Sequence, residues 1–411
     1  MTKYIKGGAF LLCLFFSPAL FGGEYDFDMS EIEKKPYSFD GSIELLSNIY
    51  GYDRDSAFFR LKYPEKPEKY DYSADLRLNG GYEANGFRYV VKTSTKHTSQ
   101  PDGDDNSEFT FMEQYAGYSS GNFSLTAGKM TMKWGKGYAF NPAAFLDRPK
   151  NIDSPEDAME GYQLVAADYT RSFSGSLKTV SYTQTAYAVN DDMNQTLGTD
   201  NGLNHAGKLY LLLNDTDIDL MYSAGESRGR RFGMDFSKNI LTNLEIHGEY
   251  AQYKDVRRQL INGYETTDTS NWLIGARYLT ESDVTYIIEY FRKSGGYTQD
   301  EMDRFYQAAE NAGNPDMLAN SPYTRNNPMR SYVYLRASVK EPFDILYFTP
   351  ALTMTANAED GSFSLAPEAV WTGITNAEFK LKIYLLSGGD NTEFGEKVMD
   401  RRLEARFKYY F

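Results

Sequence analysis

Cysteine is nearly missing from this 411-residue chain, with Cys13 its single example, and histidine and tryptophan are held to three residues each. One cysteine cannot form a disulfide framework, so the fold must be held by other means. His97, His205 and His247 lie far apart in the sequence, which gives neither the close ligand spacing of a metal site nor a recognisable nucleophilic triad; no cofactor, metal or catalytic residue is expected. Positive charge is also short, with 43 Lys and Arg against 57 Asp and Glu and a net charge of −14. That balance excludes a general polyanion binder and argues against nucleic acid as a partner. Past residue 21 no apolar run is long enough for a membrane helix, and the mean hydropathy is −0.56. Hydropathy alone would therefore suggest a soluble protein. It is blind to transmembrane strands, however, because only every second residue of such a strand meets lipid.

What is present fits that second case. There are 34 Tyr, 26 Phe and 34 Gly, and apolar residues alternate with polar ones from end to end. In the last stretch Leu403, Ala405, Phe407, Tyr409 and Phe411 share one side, while Arg402, Glu404, Arg406, Lys408 and Tyr410 share the other. An apolar row against lipid and a charged row against water is what the wall of a membrane barrel requires. The same alternation marks segments at 39–49, 74–82, 87–93, 109–118, 123–132, 162–169, 177–189, 206–213, 218–224, 231–237, 244–253, 272–279, 284–292, 331–339, 352–356, 363–371, 379–386 and 403–411. Tight turns such as Ala84-Asn85-Gly86 and Asn214-Asp215 alternate with long loops around Pro64, Asp102, Pro142, Asn190, Gly263 and Tyr306. The expectation is an all-β, antiparallel meander forming a transmembrane β-barrel of about eighteen strands (16–18), with short periplasmic turns and long extracellular loops. Trp272, Trp371 and many tyrosines fall near strand ends, as interfacial girdles do.

The amino-terminus has the three parts of a secretory signal: Lys3 and Lys6, an apolar run from Ala9 to Phe21, and Gly22-Gly23. Residues 1–23 are expected to be removed, taking Cys13 with them. Residues 24–38 then form a short periplasmic segment and 39–411 the barrel, which leaves no room for a plug domain.

A bare aromatic end at Phe407, Tyr409 and Phe411 resembles the insertion signal of Gram-negative outer-membrane β-barrels, which implies the outer membrane as location and its assembly machinery, the lipid bilayer and lipopolysaccharide as partners. A second resemblance rests on Gly128-Lys129 and Trp134-Gly135, where a strand ending in Gly-Lys leads into a Trp-Gly loop. It is similar to porin-like barrels, loosely to the alginate-export type and related uncharacterised barrels. It implies a barrel architecture and carries no sugar specificity.

Two loops bear on function. Between 125 and 160, Gly135, Gly137, Pro142, Pro149 and Pro155 restrict or shape the backbone, and Trp134, Tyr138, Phe140 and Phe145 need burial beside charged groups. Such a loop either folds into the lumen, giving a constriction of Lys133, Trp134, Lys136, Tyr138, Asp147 and Arg148, or packs on the rim as a latch. In the second loop Thr298 and Glu301 have capping-box spacing, followed by a helical face of Met302, Phe305, Tyr306 and Ala309. A helix over 299–312 is expected, docked in the mouth or across the rim. Inward parity on the strands selects Asp75, Arg77, Arg88, Lys92, Glu245, His247, Glu249, Arg277, Lys380, Lys382 and Arg406 as candidate lumen wall, with His247 as a solvated lumenal residue. The expected function is a porin-like channel for passive diffusion of small hydrophilic solutes rather than an enzyme; the alternative is a barrel acting as a binding platform or scaffold for a partner. Solute, charge selectivity and oligomeric state are not legible.

Overall fold

The computed structural model describes residues 35–62, 69–99, 105–310 and 320–411. The expected signal and most of the segment 24–38 lie outside the described residues, as do Pro64, Asp102 and residues 311–312.

Eighteen strands follow one another along the chain: β1 (Tyr37–Tyr52), β2 (Tyr70–Ala84), β3 (Phe87–Ser99), β4 (Asn106–Ser120), β5 (Phe123–Met130), β6 (Tyr162–Ser172), β7 (Leu177–Val189), β8 (Gly202–Leu213) and β9 (Thr216–Gly225) form the first half. The second half is β10 (Arg231–Leu241), β11 (Leu244–Leu260), β12 (Gly263–Leu279), β13 (Val284–Lys293), β14 (Ser331–Val339), β15 (Phe348–Asn357), β16 (Phe363–Trp371), β17 (Ala377–Ser387) and β18 (Met399–Tyr410). Each pairs antiparallel with its sequence neighbours, and β1 pairs with both β2 and β18, so the sheet closes into a ring without an edge. Closure satisfies the backbone hydrogen bonds of the wall, the condition for crossing lipid. This is the eighteen-stranded transmembrane meander barrel that the alternation predicts. At the seam Ile43 lies opposite Tyr409 and Leu45 opposite Phe407. Gly41 and Phe411 exchange backbone hydrogen bonds at 2.9 and 3.0 Å.

Side-chain parity sorts the wall into two faces. Ile43, Leu45, Ile49, Leu76, Phe109, Leu125, Leu220, Ile274, Ile288, Leu381 and Tyr409 stand exposed on the outside, where an apolar belt meets acyl chains. Their neighbours Glu44, Asp75, Glu113, Asp219, Asp235, Glu249, Glu289, Glu368, Lys382 and Glu404 are buried on the inside. Among the described residues no helix is long and apolar enough to cross a membrane.

Two features differ from the sequence reading. The stretch around Gly263, read as a loop, is a continuous hairpin in which β11 and β12 run on to the pair Leu260 and Gly263. A register shift between Tyr253 and Val256, with Asp255 at φ 55°, breaks the alternation there and hid the extension. β1 also begins at Tyr37, two residues before the alternation becomes clear.

Among the described residues two α-helices lie in the loops, α1 (Ala57–Lys62) between β1 and β2 and α2 (Gln299–Glu310) between β13 and β14. α2 carries the expected capping box: Thr298 N donates to the Glu301 carboxylate at 2.9 Å, and Glu301 N donates to Thr298 Oγ1 at 3.3 Å. Its apolar face, Met302, Phe305, Tyr306 and Ala309, belongs to one buried cluster with Phe58 of α1 and with Tyr332 and Phe291 of the wall, and Phe58 lies 5.8 Å from Phe305 and 6.1 Å from Tyr306. The helix is thus docked in the mouth.

Candidate functional site: a loop braced across the lumen

The chain between β5 and β6, residues 131–161, enters the barrel and is held at both ends. Its first half rests on three carboxylates. Asp147, within the loop, accepts hydrogen bonds from the backbone N–H groups of Met132, Lys133 and Trp134 at 2.8–2.9 Å. Glu249 of β11 accepts from the N–H groups of Lys136 and Gly137, both at 2.6 Å, and of Ala143 at 2.9 Å. Glu289 of β13 accepts from the N–H groups of Tyr138, Ala139 and Phe140. A carboxylate that gathers several backbone donors replaces the water it has lost. Gly135 and Gly137 make this approach possible: Gly135 has φ 88°, and a Cβ there would meet the Glu249 carboxylate at 2.9 Å, while at Gly137 it would meet the Phe140 carbonyl oxygen at 1.9 Å.

Apolar packing completes the anchorage. Phe140 stacks on Phe291 with centroids 4.7 Å apart, and Trp134, Phe145 and Leu146 join Leu164, Tyr187, Ala206, Met221 and Ala251 in a second buried cluster. Arg228 donates to the Phe145 carbonyl at 3.0 Å, and Tyr253 to that of Pro142 at 2.5 Å. The lumen beside β6–β13 is therefore filled like a protein core.

The loop tip reaches the other wall. Glu156 pairs with Lys380 at 3.1 Å, Asp157 with Arg406 at 3.1 Å and Asp153 with Arg402 at 3.7 Å, and Lys382 donates to the Asp153 carbonyl. Lys136, nearer the root, meets Asp219 of β9 at 3.3 Å. β9 and β18 stand half-way round the ring from each other. The loop is thus a brace across the lumen, which decides between the two placements open in the sequence in favour of the interior.

Space remains on one side of the brace. A cavity of about 300 Å³ lies between the tip and the wall of β1–β3, β17 and β18; Glu44, Asp75, Arg77, Lys96, Arg402 and Arg406 face Asn151, Ser154 and Asp157 there. A second, of about 360 Å³, adjoins β3 and β4 and is lined by Lys92, Glu113, Lys133, Asp147, Arg148 and Asp157. A third, of about 210 Å³, opens above under α1 and shares Asn151, Tyr384 and Arg402 with the first. The water space is off-centre and polar, with charges of both signs interleaved: Arg77 with Asp75 at 2.7 Å, Lys92 with Glu113, and Arg406 with Glu404 at 3.1 Å.

The sequence-selected residues are distributed over these parts. Asp75, Arg77 and Arg406 border the first cavity, and Lys92, Lys133, Trp134, Asp147 and Arg148 border the second. Arg88 lies 5.9 Å over the Tyr115 ring, and Arg277 is paired in register with Glu245 toward the short-turn end. Lys380 and Lys382 hold the loop tip. Glu249 and Tyr138 belong to the anchorage rather than to an open wall. His247 is not solvated: it is 3% exposed, with Nε2 3.0 Å from Glu289, because the loop covers it. Arg148 pairs with Glu160 at 2.7 Å and lies over the Tyr162 ring, so Lys136 and Arg148 both face partners away from the first cavity.

Burial pushes the Asp147 carboxyl above its usual range, and the three backbone donors offset this only in part. Burial also works to lower Lys136, but the carboxylates of Asp219 and Asp235 outweigh it and hold the ammonium above the ordinary lysine value. Lys150, donating to the Gly137 and Tyr138 carbonyls at 2.7 and 2.9 Å, is pulled down by burial.

Sequence reasoning missed Glu289, Glu368 and Lys96. Glu289 had a signal, as the one charged residue in Tyr286-Ile287-Ile288-Glu289-Tyr290-Phe291, with inward parity.

The closed ring and its partly filled, polar lumen define a porin-like barrel. The fold is similar to crystal structures from Pseudomonas aeruginosa: OccK5 (OpdH), at 11% identity over 91% of this chain and 98% of that one with a TM-score of 0.54, and OccK11 (OpdR), at 9% identity over 91% and 96% with a TM-score of 0.52. The outer membrane protein OpdK is similar at 10% identity over 91% and 99%, with a TM-score of 0.50. Identities this low show a shared fold. No family model matches the sequence, and no curated protein is similar to it. The resemblance carried by Gly128-Lys129 and Trp134-Gly135 thus reaches the porin-like barrel and is not extended to the alginate-export type.

Proposed function

We propose that this protein is an outer-membrane channel through which small hydrophilic solutes diffuse passively, along the polar gap between residues 151–157 and the wall of β1–β4 and β18. The observation that carries the reading is the run of charged cavities on one side of a fixed brace, since a water path bordered by both signs of charge admits polar solutes and limits their size. The outward apolar belt supports a place in lipid, and the likeness in fold to OpdK, an outer membrane protein, supports the outer membrane. On this reading residues 1–23 are an export signal, residues 24–38 lead into the barrel from the periplasm, Phe407, Tyr409 and Phe411 guide insertion by the assembly machinery, and the outer rim meets lipopolysaccharide. The constriction is assigned to the tip of the brace against Arg77, Lys96 and Arg406. Lys133 and Arg148 border the adjoining cavity, and Trp134, Lys136, Tyr138 and Asp147 fix the loop.

Single-channel recording of the purified barrel in planar bilayers tests the proposal. Discrete conductance steps in KCl, with uptake of small sugars or amino acids but not larger oligomers into liposomes, are expected. A correctly folded barrel that carries no current and admits no solute would instead favour the role of a binding platform.

A further inference from the structure

Four buried side-chain atoms without a hydrogen-bond partner among the described residues, Tyr384 Oη, Glu393 Oε1, Lys397 Nζ and Arg402 Nε, belong to residues lining one chamber of about 210 Å³ at the long-loop end of the barrel. Buried polar groups are nearly always paired, so four such atoms around one cavity call for a ligand. Glu393 is fixed: its other oxygen accepts from Tyr332 Oη at 2.6 Å and Asn357 Nδ2 at 3.0 Å, and the residue is 0% exposed. Lys397 Nζ stands 3.7 Å from Glu393 Oε1, too far for a hydrogen bond. Burial pushes the Glu393 carboxyl up and the Lys397 ammonium down, and the charge of each only partly offsets this for the other across that gap.

The chamber's chemistry narrows the ligand. Arg402 covers the Tyr384 ring at 3.9 Å and Lys382 lies 4.9 Å from it, so that ring is not free to stack on a flat apolar solute. A simple anion would leave Glu393 Oε1 unpaired beside negative charge, and a simple cation would face Lys62, Lys397, Arg401 and Arg402. We propose that the chamber binds a small zwitterion of α-amino-acid type, whose ammonium donates to Glu393 and whose carboxylate accepts from Lys397 and Arg402. The site rests on the channel reading for its role, because it shares Asn151, Tyr384 and Arg402 with the deeper cavity and so lies on the path.

The test uses the whole barrel in planar bilayers in KCl, with L-serine added and acetate or methylamine at equal concentration as single-charge arms. L-Serine is expected to produce transient current blocks at least about ten times as frequent as either arm, and Lys397→Gln and Glu393→Gln each to lower that frequency at least about tenfold. Lys178→Gln, at an exposed position near the start of β7 at the other end, is the control and should block as the natural protein does. Acetate blocking as often as L-serine would overturn the zwitterion in favour of a plain anion site. Blocks unchanged in both chamber variants would overturn the site itself. If Glu393→Gln fails to fold, Lys397→Gln decides. Should the barrel carry no current, the channel reading fails, and calorimetric titration of the detergent-solubilised barrel with L-serine, acetate and methylamine decides the chamber separately: binding of L-serine alone, lost in Lys397→Gln, supports it, and any other pattern overturns it.

Discussion

Replacing Glu249 by glutamine should loosen the brace without altering the wall. The carboxylate accepts from the N–H groups of Lys136 and Gly137 on one oxygen and of Ala143 on the other. Glutamine keeps one acceptor. With its carbonyl toward Lys136 and Gly137, its amide group faces the Ala143 N–H, leaving a buried donor unpaired at a cost of about 1–3 kcal/mol. The two remaining backbone bonds lose charge assistance, roughly 1 kcal/mol each, and the longer one from Asn141 Nδ2 at 3.3 Å less. Relief from burying a charge returns part of this, since buried carboxylates are themselves costly. A net loss on the order of 2–4 kcal/mol raises the population of detached loop states about 30- to 1,000-fold. Detachment opens the lumen, so single-channel records of Glu249→Gln should show frequent excursions to larger conductance and more open-channel noise. Glu281→Gln, in an exposed turn, serves as control. Records of Glu249→Gln indistinguishable from those of the natural barrel at every voltage would refute the claim that this loop sets the size of the path.

Further outcomes follow from the same geometry. Lys96 borders the first cavity and is in no ion pair among the described residues, so Lys96→Glu should move reversal potentials in a salt gradient toward cation preference, whereas Lys136→Gln, whose charge faces Asp219, should move them much less; equal shifts would place the path elsewhere. Phe411→Asp should cut the yield of heat-modifiable, folded barrel several-fold more than Tyr410→Asp, because Phe411 continues the outward row at the seam; equal losses would contradict that parity. The Glu301 carboxyl is held below its ordinary 4.5: burial works against this, and Arg258 and Thr298 outweigh it. A depressed folded value means that its stabilisation of α2 is full above the unfolded value and is lost as pH falls through the folded one. Hydrogen exchange in α2, corrected for intrinsic rate, should therefore quicken as pH falls below the ordinary value of 4.5, and protection unchanged from neutral to strongly acidic pH would remove the cap from the account.

The wall was legible because lipid on one side and polar surroundings on the other impose a two-residue period on each strand. Leu403 to Phe411 displays it without interruption. The period fails where neither condition holds, as in the hairpin beyond Lys254, whose Arg257 and Arg258 both leave the lipid zone. The brace was legible as an ordered object, from its glycines, prolines and aromatic residues, but its anchors were not. An inward carboxylate has the same parity whether it meets water or backbone N–H groups, so Glu249 read as lumen wall and Glu289 went unnoticed. His247 was misread for the same reason. The capping box of α2 lies within four consecutive residues, and local signals of that kind survive in a sequence, whereas pairings such as Asp157 with Arg406 span the whole fold.

The one-sided filling of the lumen has a consequence for how the molecule is made. The sector from β6 to β13 holds the root of the loop on Glu249, Glu289 and the apolar cluster around Trp134 and Phe145, whereas the tip is held by Lys380, Lys382, Arg402 and Arg406 of β17 and β18. The water path is bordered instead by Glu44 of β1 and Arg402, Glu404 and Arg406 of β18, residues of the seam itself. On the channel reading, this part of the conduit is therefore complete only when the ring closes.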